Sequence, residues 1–218
     1  MQIGVLGGTG PAGRGLAARL ASVGYEVVVG SRSVERGEAT CAALRDEWPS
    51  FDLAVKGGSN KDAAEAEVVV VATPWDGAVP TACSVADQLE GKLVISMANA
   101  LVRIGTEFQP LVPPRGSVAA ALQAALPTSF VSGALHHVPA KELGAIDHPV
   151  DIDILVCSDH ESATEQTCEL IRAMPNMRAL DAGALSTAAP IESFTAVLLQ
   201  LNTRYKTRAG LKITGIDA

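Results

Sequence analysis

The sequence of 218 residues has no apolar run approaching the roughly eighteen residues that cross a bilayer, so no helical membrane span is expected. Its four cysteines, Cys41, Cys83, Cys157 and Cys168, show neither CxxC pairing nor Cys/His ligand spacing. That argues against a disulfide framework and a metal site, and for reduced, mostly buried thiols in a cytoplasmic protein. Met1 leads straight into an apolar strand pattern with no basic leader, which fits the same expectation. There is no GxSxG elbow, no HExxH helix and no Cys–His pair at a catalytic spacing, so no catalytic side chain is assigned. A net charge of −7 argues against nucleic acid as a partner, and any anionic ligand must be met by local basic groups.

Against these absences stands one dense motif. Gly7 to Ala17 read GGTGPAGRGLA directly after the apolar run Ile3 to Leu6 and ahead of a helical pattern marked by Leu16, Leu20 and Val23. A glycine-rich turn between a strand and a helix can cradle the pyrophosphate of a dinucleotide, because the first helical amides and the helix dipole face the anion. In this reading Gly8 permits the tight turn, Gly10 admits the phosphates, and Gly13 brings the helix close to the sheet. Thr9, Pro11 and Ala12 complete the turn. Pro11 is tolerated early in a helix, where its missing amide has no partner anyway.

The tip of the next strand selects the cofactor. An NAD site places a carboxylate there, yet no Asp or Glu occurs between Val27 and Val34. Ser31, Arg32 and Arg36 take that place. A hydroxyl and two guanidinium groups suit the 2′-phosphate of NADP, which a carboxylate would repel.

Strands over 2–6, 26–30, 52–56, 67–72, 92–96, 129–133, 152–157 and 177–180 alternate with helices over 10–23, 33–47, 60–66, 118–126, 161–174 and 190–205. Such alternation predicts an α/β fold, a doubly wound Rossmann-type parallel sheet over 1–150 with a small C-terminal α/β extension over 151–218. The extension could continue the same sheet. Gln109 to Ser117, with three prolines and one glycine, reads as a surface loop. Ile191, Phe194, Val197, Leu198 and Leu201 recur at helical spacing and mark a core or dimer helix.

Ligands of such sheets bind beyond the carboxyl ends of the strands. Thr73, Pro74 and Trp75 end one central strand and should border the cofactor, with Trp75 serving equally well as hydrophobic cover. Asn99, beyond another strand, fits either a hydrogen bond to the nicotinamide ribose or a turn cap. His136 and His137 precede a Val-Pro turn and suit either a ligand contact or structure. The basic stretch Arg204 to Lys212 is either a solvated face or a partner for an anion. This poverty of acid–base groups suits hydride transfer between two organic cofactors, for which the protein has chiefly to align donor and acceptor and exclude water.

With these residues the chain resembles the F420H2:NADP+ oxidoreductases, or NADPH-dependent F420 reductases. The likeness runs nearly end to end through GGTGPAGRGLA, VVVGSR at 27–32, ATPW at 72–75, ALHHVPA at 134–140, LDAG at 180–183, APIESFTAVLLQLN at 189–202 and RYKTRAGLKITGI at 204–216. It implies a homodimer whose substrates are NADP and coenzyme F420. By that resemblance Thr9 to Ala12 hold the pyrophosphate, and Ser31, Arg32 and Arg36 hold the 2′-phosphate. Thr73, Asn99 and Ala140 border the nicotinamide, while His136, Val138 and Pro139 face the deazaflavin. Thr73 and Ala189 depart from the family pattern, which carries an aliphatic and a basic residue there. F420 bears a phosphodiester and a glutamate tail, for which Arg204 to Lys212 or Arg115 could supply positive charge.

Two other readings remain open. One is an NADPH-dependent reductase of an imine, ketone or metal chelate, which needs a proton donor; His136 and His137 are the candidates. The other is a non-catalytic NADP-binding redox sensor.

Overall fold

The computed structural model describes residues 1–216. Strand β1 (Gln2–Leu6), helix α1 (Pro11–Ser22), β2 (Glu26–Ser31), α2 (Val34–Glu47), β3 (Val55–Ser59) and α3 (Asn60–Ala64) form the first half of a winding sheet. β4 (Val68–Val71), α4 (Trp75–Cys83), α5 (Ala86–Leu89) and β5 (Leu93–Ser96) follow. Next come the hairpin strands β6 (Leu101–Ile104) and β7 (Glu107–Pro110), α6 (Val118–Ala125), β8 (Phe130–Gly133) and α7 (Ala140–Gly144). β9 (Ile152–Ser158), α8 (Glu161–Arg172), β10 (Met177–Asp181) and α9 (Ala188–Tyr205) complete the chain.

Eight strands form one sheet in the order β10-β9-β8-β5-β4-β1-β2-β3. Every neighbouring pair is parallel except β8 and β9, which run antiparallel. The C-terminal unit therefore does continue the sheet, but with its direction reversed. The Val68–Val71 run is buried on both faces, Val68 and Val70 packing into one apolar cluster and Val69 and Val71 into the other. That is why it lacks the polar alternation of a one-sided strand.

Two local expectations need correction. β3 lies three residues beyond the expected 52–56 and includes Gly57 and Gly58. Helix α2 lies so close to this strand that a Cβ on Gly57 would sit 2.2 Å from the Glu38 amide nitrogen. Tertiary packing thus requires glycine inside a strand, where propensity would end one. The loop read from Gln109 onward begins later, because Gln109 and Pro110 belong to β7 and pair with Val102 and Leu101. The two-stranded sheet leaves Pro110 on an edge, where a missing amide costs little.

After α9 the chain turns at Lys206, whose φ is 51°, and runs back across β9. The Asp153 amide donates to the Leu211 carbonyl at 2.8 Å, and the Ile213 amide donates to Asp153 Oδ2 at 2.6 Å. Arg178 clamps the same carboxylate at 2.9 and 2.6 Å. These bonds, with Lys212 nearby, hold the solvent-excluded Asp153 ionised, with its pKa down to about 2.

Candidate functional site

The glycine turn lies at the carboxyl ends of β1, β2 and β4 and walls a cleft of about 540 Å³. The positive φ in the turn belongs to Gly7, at 70°, rather than to Gly8. Gly8 is required for a different reason, since a Cβ there would lie 3.0 Å from the Val5 carbonyl oxygen and from Val29 Cγ1. Gly13 performs the packing role expected of it, because its Cβ would fall 2.8 Å from Gly8 Cα. Gly10 caps α1 with extended backbone, and a Cβ there would make an ordinary contact 3.6 Å from the Gly7 carbonyl oxygen, while the first amides of α1 have no intrahelical partners.

Thr9, Gly10, Ser31, Arg32, Arg36, Thr73 and Pro74 all line this cleft. Ser31 is buried and its hydroxyl accepts the Ser33 amide at 3.3 Å, while Arg32 and Arg36 are exposed. Neither guanidinium has an ion-pair partner among the described residues. The cleft therefore offers a phosphate-sized anion a helix N-terminus at one end and two uncommitted arginines at the other. Asn60 is a contributor the sequence pattern missed: its Oδ1 accepts the Gly7 amide at 3.2 Å and pins the turn. Asp76, Gly77, Pro80 and Thr81 also line the cleft without a motif to announce them.

Other expected residues sit elsewhere. Trp75 begins α4 and packs on the second apolar cluster, which matches its role as hydrophobic cover. Pro11 opens onto the opposite side of α1. Ala12 and Val138 pack against the first cluster.

Asn99 and the 136–140 segment come together at the carboxyl ends of β5 and β8. Asn99 Nδ2 donates to the His136 carbonyl at 2.8 Å, and the Thr195 hydroxyl lies 3.2 Å from both Asn99 Oδ1 and that carbonyl. The side chain of Asn99 thus ties β5 to the His136 turn and to α9. Pro139 is the N-cap of α7, which begins at Ala140. Leu135, buried, holds φ at 63°, a conformation that strains a branched residue and marks the turn as held by its surroundings.

The family described as NADP oxidoreductase, coenzyme F420-dependent, matches residues 2–100. An F420-dependent NADP reductase of Methanocaldococcus jannaschii is 36% identical over 223 residues, covering 100% of both chains. The chain belongs to the F420-dependent NADP oxidoreductase family. A second such reductase, of Methanothermobacter thermautotrophicus, is 36% identical over 99% of this chain and 96% of its own. A solved structure put forward as an F420-dependent NADP reductase, from Arthrobacter sp. FB24, superposes with a TM-score of 0.84 at 25% identity, covering 98% of this chain and 99% of that one.

In this member of the family the two histidines are electrostatically quiet. His136 is buried, and burial followed by the neighbouring His137 pushes its pKa down to about 3. Burial likewise lowers His137 to about 4, against the opposing pull of Asp153. Both rings are neutral at physiological pH. Neither His136 nitrogen has a partner within hydrogen-bonding geometry among the described residues. Thr73 Oγ1 is also buried without a partner, at the wall of the cleft.

Proposed function

We propose that the protein transfers a hydride reversibly between NADP(H) and the deazaflavin coenzyme F420. The observation that carries this reading is the 36% identity, over the full length of both chains, to an F420-dependent NADP reductase, together with a cleft lined by two unpaired arginines. The residues present fit NADP. Gly8 and Gly13 leave no room for a Cβ, so the turn and helix keep the close packing that exposes backbone amides. The orphaned Thr73 hydroxyl offers a hydrogen bond on the cleft wall.

In this reading the main chain from Thr9 to Ala12 at the head of α1 holds the pyrophosphate, with the Pro11 ring and the Ala12 methyl turned away from it, and Ser31, Arg32 and Arg36 hold the 2′-phosphate. Thr73, Asn99 and Ala140 bound the nicotinamide side, with Asn99 acting through the turn it fixes. His136, Val138 and Pro139 shape the deazaflavin side. Bound together, the two coenzymes supply the redox chemistry, hydride passing between carbon atoms of the two rings. The chain's contribution is to align them and keep water out.

The neutral histidines favour this reading over a ketone or imine reductase. Groups whose pKa values lie near 3 and 4 are poor proton donors at neutral pH. Hydride transfer to a deazaflavin leaves a delocalised anion that can take its proton from solvent, so such an acceptor needs no side-chain donor beside it. We further assign residues 1–150 to NADP and 151–218 to completion of the deazaflavin pocket, in a cytoplasmic homodimer. Support for the dimer comes from α9, where Phe194, Val197, Leu201 and Tyr205 form an exposed stripe, 37%, 50%, 37% and 68% accessible.

Deuterium at the reactive C4 position of NADPH should appear in the reduced deazaflavin without washing into water. Recovery of the label in water would overturn direct transfer.

A further inference from the structure

On the other side of the Gly10–Pro11 turn, a second groove of about 360 Å³ opens between α1, the C-terminal end of α2 and α7. Its polar side chains are almost all donors. Arg14, Lys141, Arg208 and Trp48 line it, against the single carboxylate of Glu47. That carboxylate is already paired with Arg14. Arg208 reaches Glu142 at 2.6 Å from an exposed position, and Lys141 has no ion-pair partner among the described residues. The indole Nε1 of Trp48 is buried with no acceptor. In a protein of net charge −7, three cationic residues, two of them already ion-paired, and a tryptophan with an unsatisfied N–H line one concavity.

The floor is bare backbone. A Cβ on Gly15 would lie 2.9 Å from the Ala140 carbonyl oxygen and 3.0 Å from the Gly144 amide nitrogen, so α1 and α7 meet without side chains between them. The groove is joined to the proposed substrate site through the chain: Pro11 follows Gly10 of the dinucleotide cleft, and Ala140 follows Pro139, which the reading above assigns to the deazaflavin side.

We propose that this groove binds the anionic tail of the deazaflavin substrate, its phosphodiester and glutamyl carboxylates, through Lys141, Arg208 and Arg14, with Trp48 Nε1 as a further donor. The assignment rests on the hydride-transfer reading above. It also separates the C-terminal basic residues by role. Arg208 lines the groove while pairing with Glu142, whereas Lys212 does not line it and is held by Asp151 at 2.6 Å and by Asp153 at 3.6 Å. An acceptor rich in oxygen anions matches a wall of donors, and charge-assisted bonds of this kind carry selectivity for the tail over the ring.

The test measures dissociation constants by fluorescence anisotropy of the deazaflavin itself, for F420 and for the same ring system ending at its ribityl alcohol. Lys141→Glu and Arg208→Gln are compared with the unaltered protein. The expected result is tighter binding of F420 than of the tail-less ring, with Lys141→Glu weakening F420 roughly tenfold and the tail-less ring hardly at all. NADPH affinity should not change. Equal effects on both deazaflavins, or none on either, would overturn the groove assignment while leaving the hydride-transfer reading intact. Failure of the unaltered protein to bind either deazaflavin would overturn both. Inorganic phosphate provides the last arm: if Lys141→Glu abolishes phosphate binding yet leaves F420 untouched, the groove serves a free anion and the assignment fails.

Discussion

The Arg19 guanidinium, one per cent exposed inside α1, donates to the Ala145 carbonyl at 2.6 Å just beyond the end of α7. The same group reaches the carbonyls of Glu142, His148 and Leu143 at 2.8, 2.8 and 3.1 Å. One buried cation thus satisfies four acceptors of the 142–148 segment and fixes α7, the helix that follows the His136 turn. Burial lowers its pKa, Asp147 and Glu142 oppose the shift, and the four carbonyl oxygens accept its hydrogen bonds.

Replacing Arg19 by Met removes all four bonds and strands the carbonyls. Stability should fall by about 3–5 kcal/mol, measured by urea denaturation. A loss below about 1 kcal/mol would mean that water takes over the carbonyls and that α7 holds itself.

Arg32→Ala should weaken NADPH binding by roughly 10- to 100-fold and leave NADH binding unchanged, because only the 2′-phosphate is lost as a partner. Isothermal titration with both nucleotides decides the point. Equal weakening of both would place Arg32 at the pyrophosphate or in the fold.

Thr73→Val should act with opposite signs on two measurements. It removes a buried hydroxyl that has no partner, so the ligand-free protein should gain up to about 1 kcal/mol of stability. NADPH affinity should drop several-fold as the hydrogen bond to the nucleotide disappears. Unchanged affinity would remove Thr73 from the site.

His136 and His137 make stability depend on pH in a definite direction. Their folded-state pKa values lie near 3 and 4, below the ordinary value of 6.5, so below about pH 6.5 the unfolded chain takes up protons that the folded chain refuses. Stability is full above pH 6.5 and declines as pH falls toward 4, with a slope approaching two protons. A His136→Gln, His137→Gln variant should lose most of that slope in denaturation series run from pH 7.5 to pH 4.5. A slope that persists in the variant would assign the proton uptake to other groups.

Much of this molecule is legible in its residues. The GGTGPAGRG turn, the missing acid after β2 and the Val68–Val71 run each express a local requirement, and the structure sets each where that requirement predicts. What escaped depends on contacts far apart in the chain. Asn60 reaches the glycine turn across a gap of 53 residues, and Thr195 reaches Asn99 across 96. Gly57 looks like a strand breaker until α2 is seen lying against it. The reversed direction of β9 leaves no mark in its own pattern, since a strand buried on both faces has the same composition in either sense. The groove beside α1 is assembled from four segments far apart in the chain, and no motif within any one of them announces the concavity they form together.

The central claim is most directly tested by anaerobic mixing of the protein with NADPH and oxidised F420, following the deazaflavin absorbance, and repeating with NADH. Rapid bleaching with NADPH and little with NADH is the predicted result. Persistent absorbance in a sample that demonstrably binds NADPH would contradict it and leave a dinucleotide-binding protein with a different acceptor.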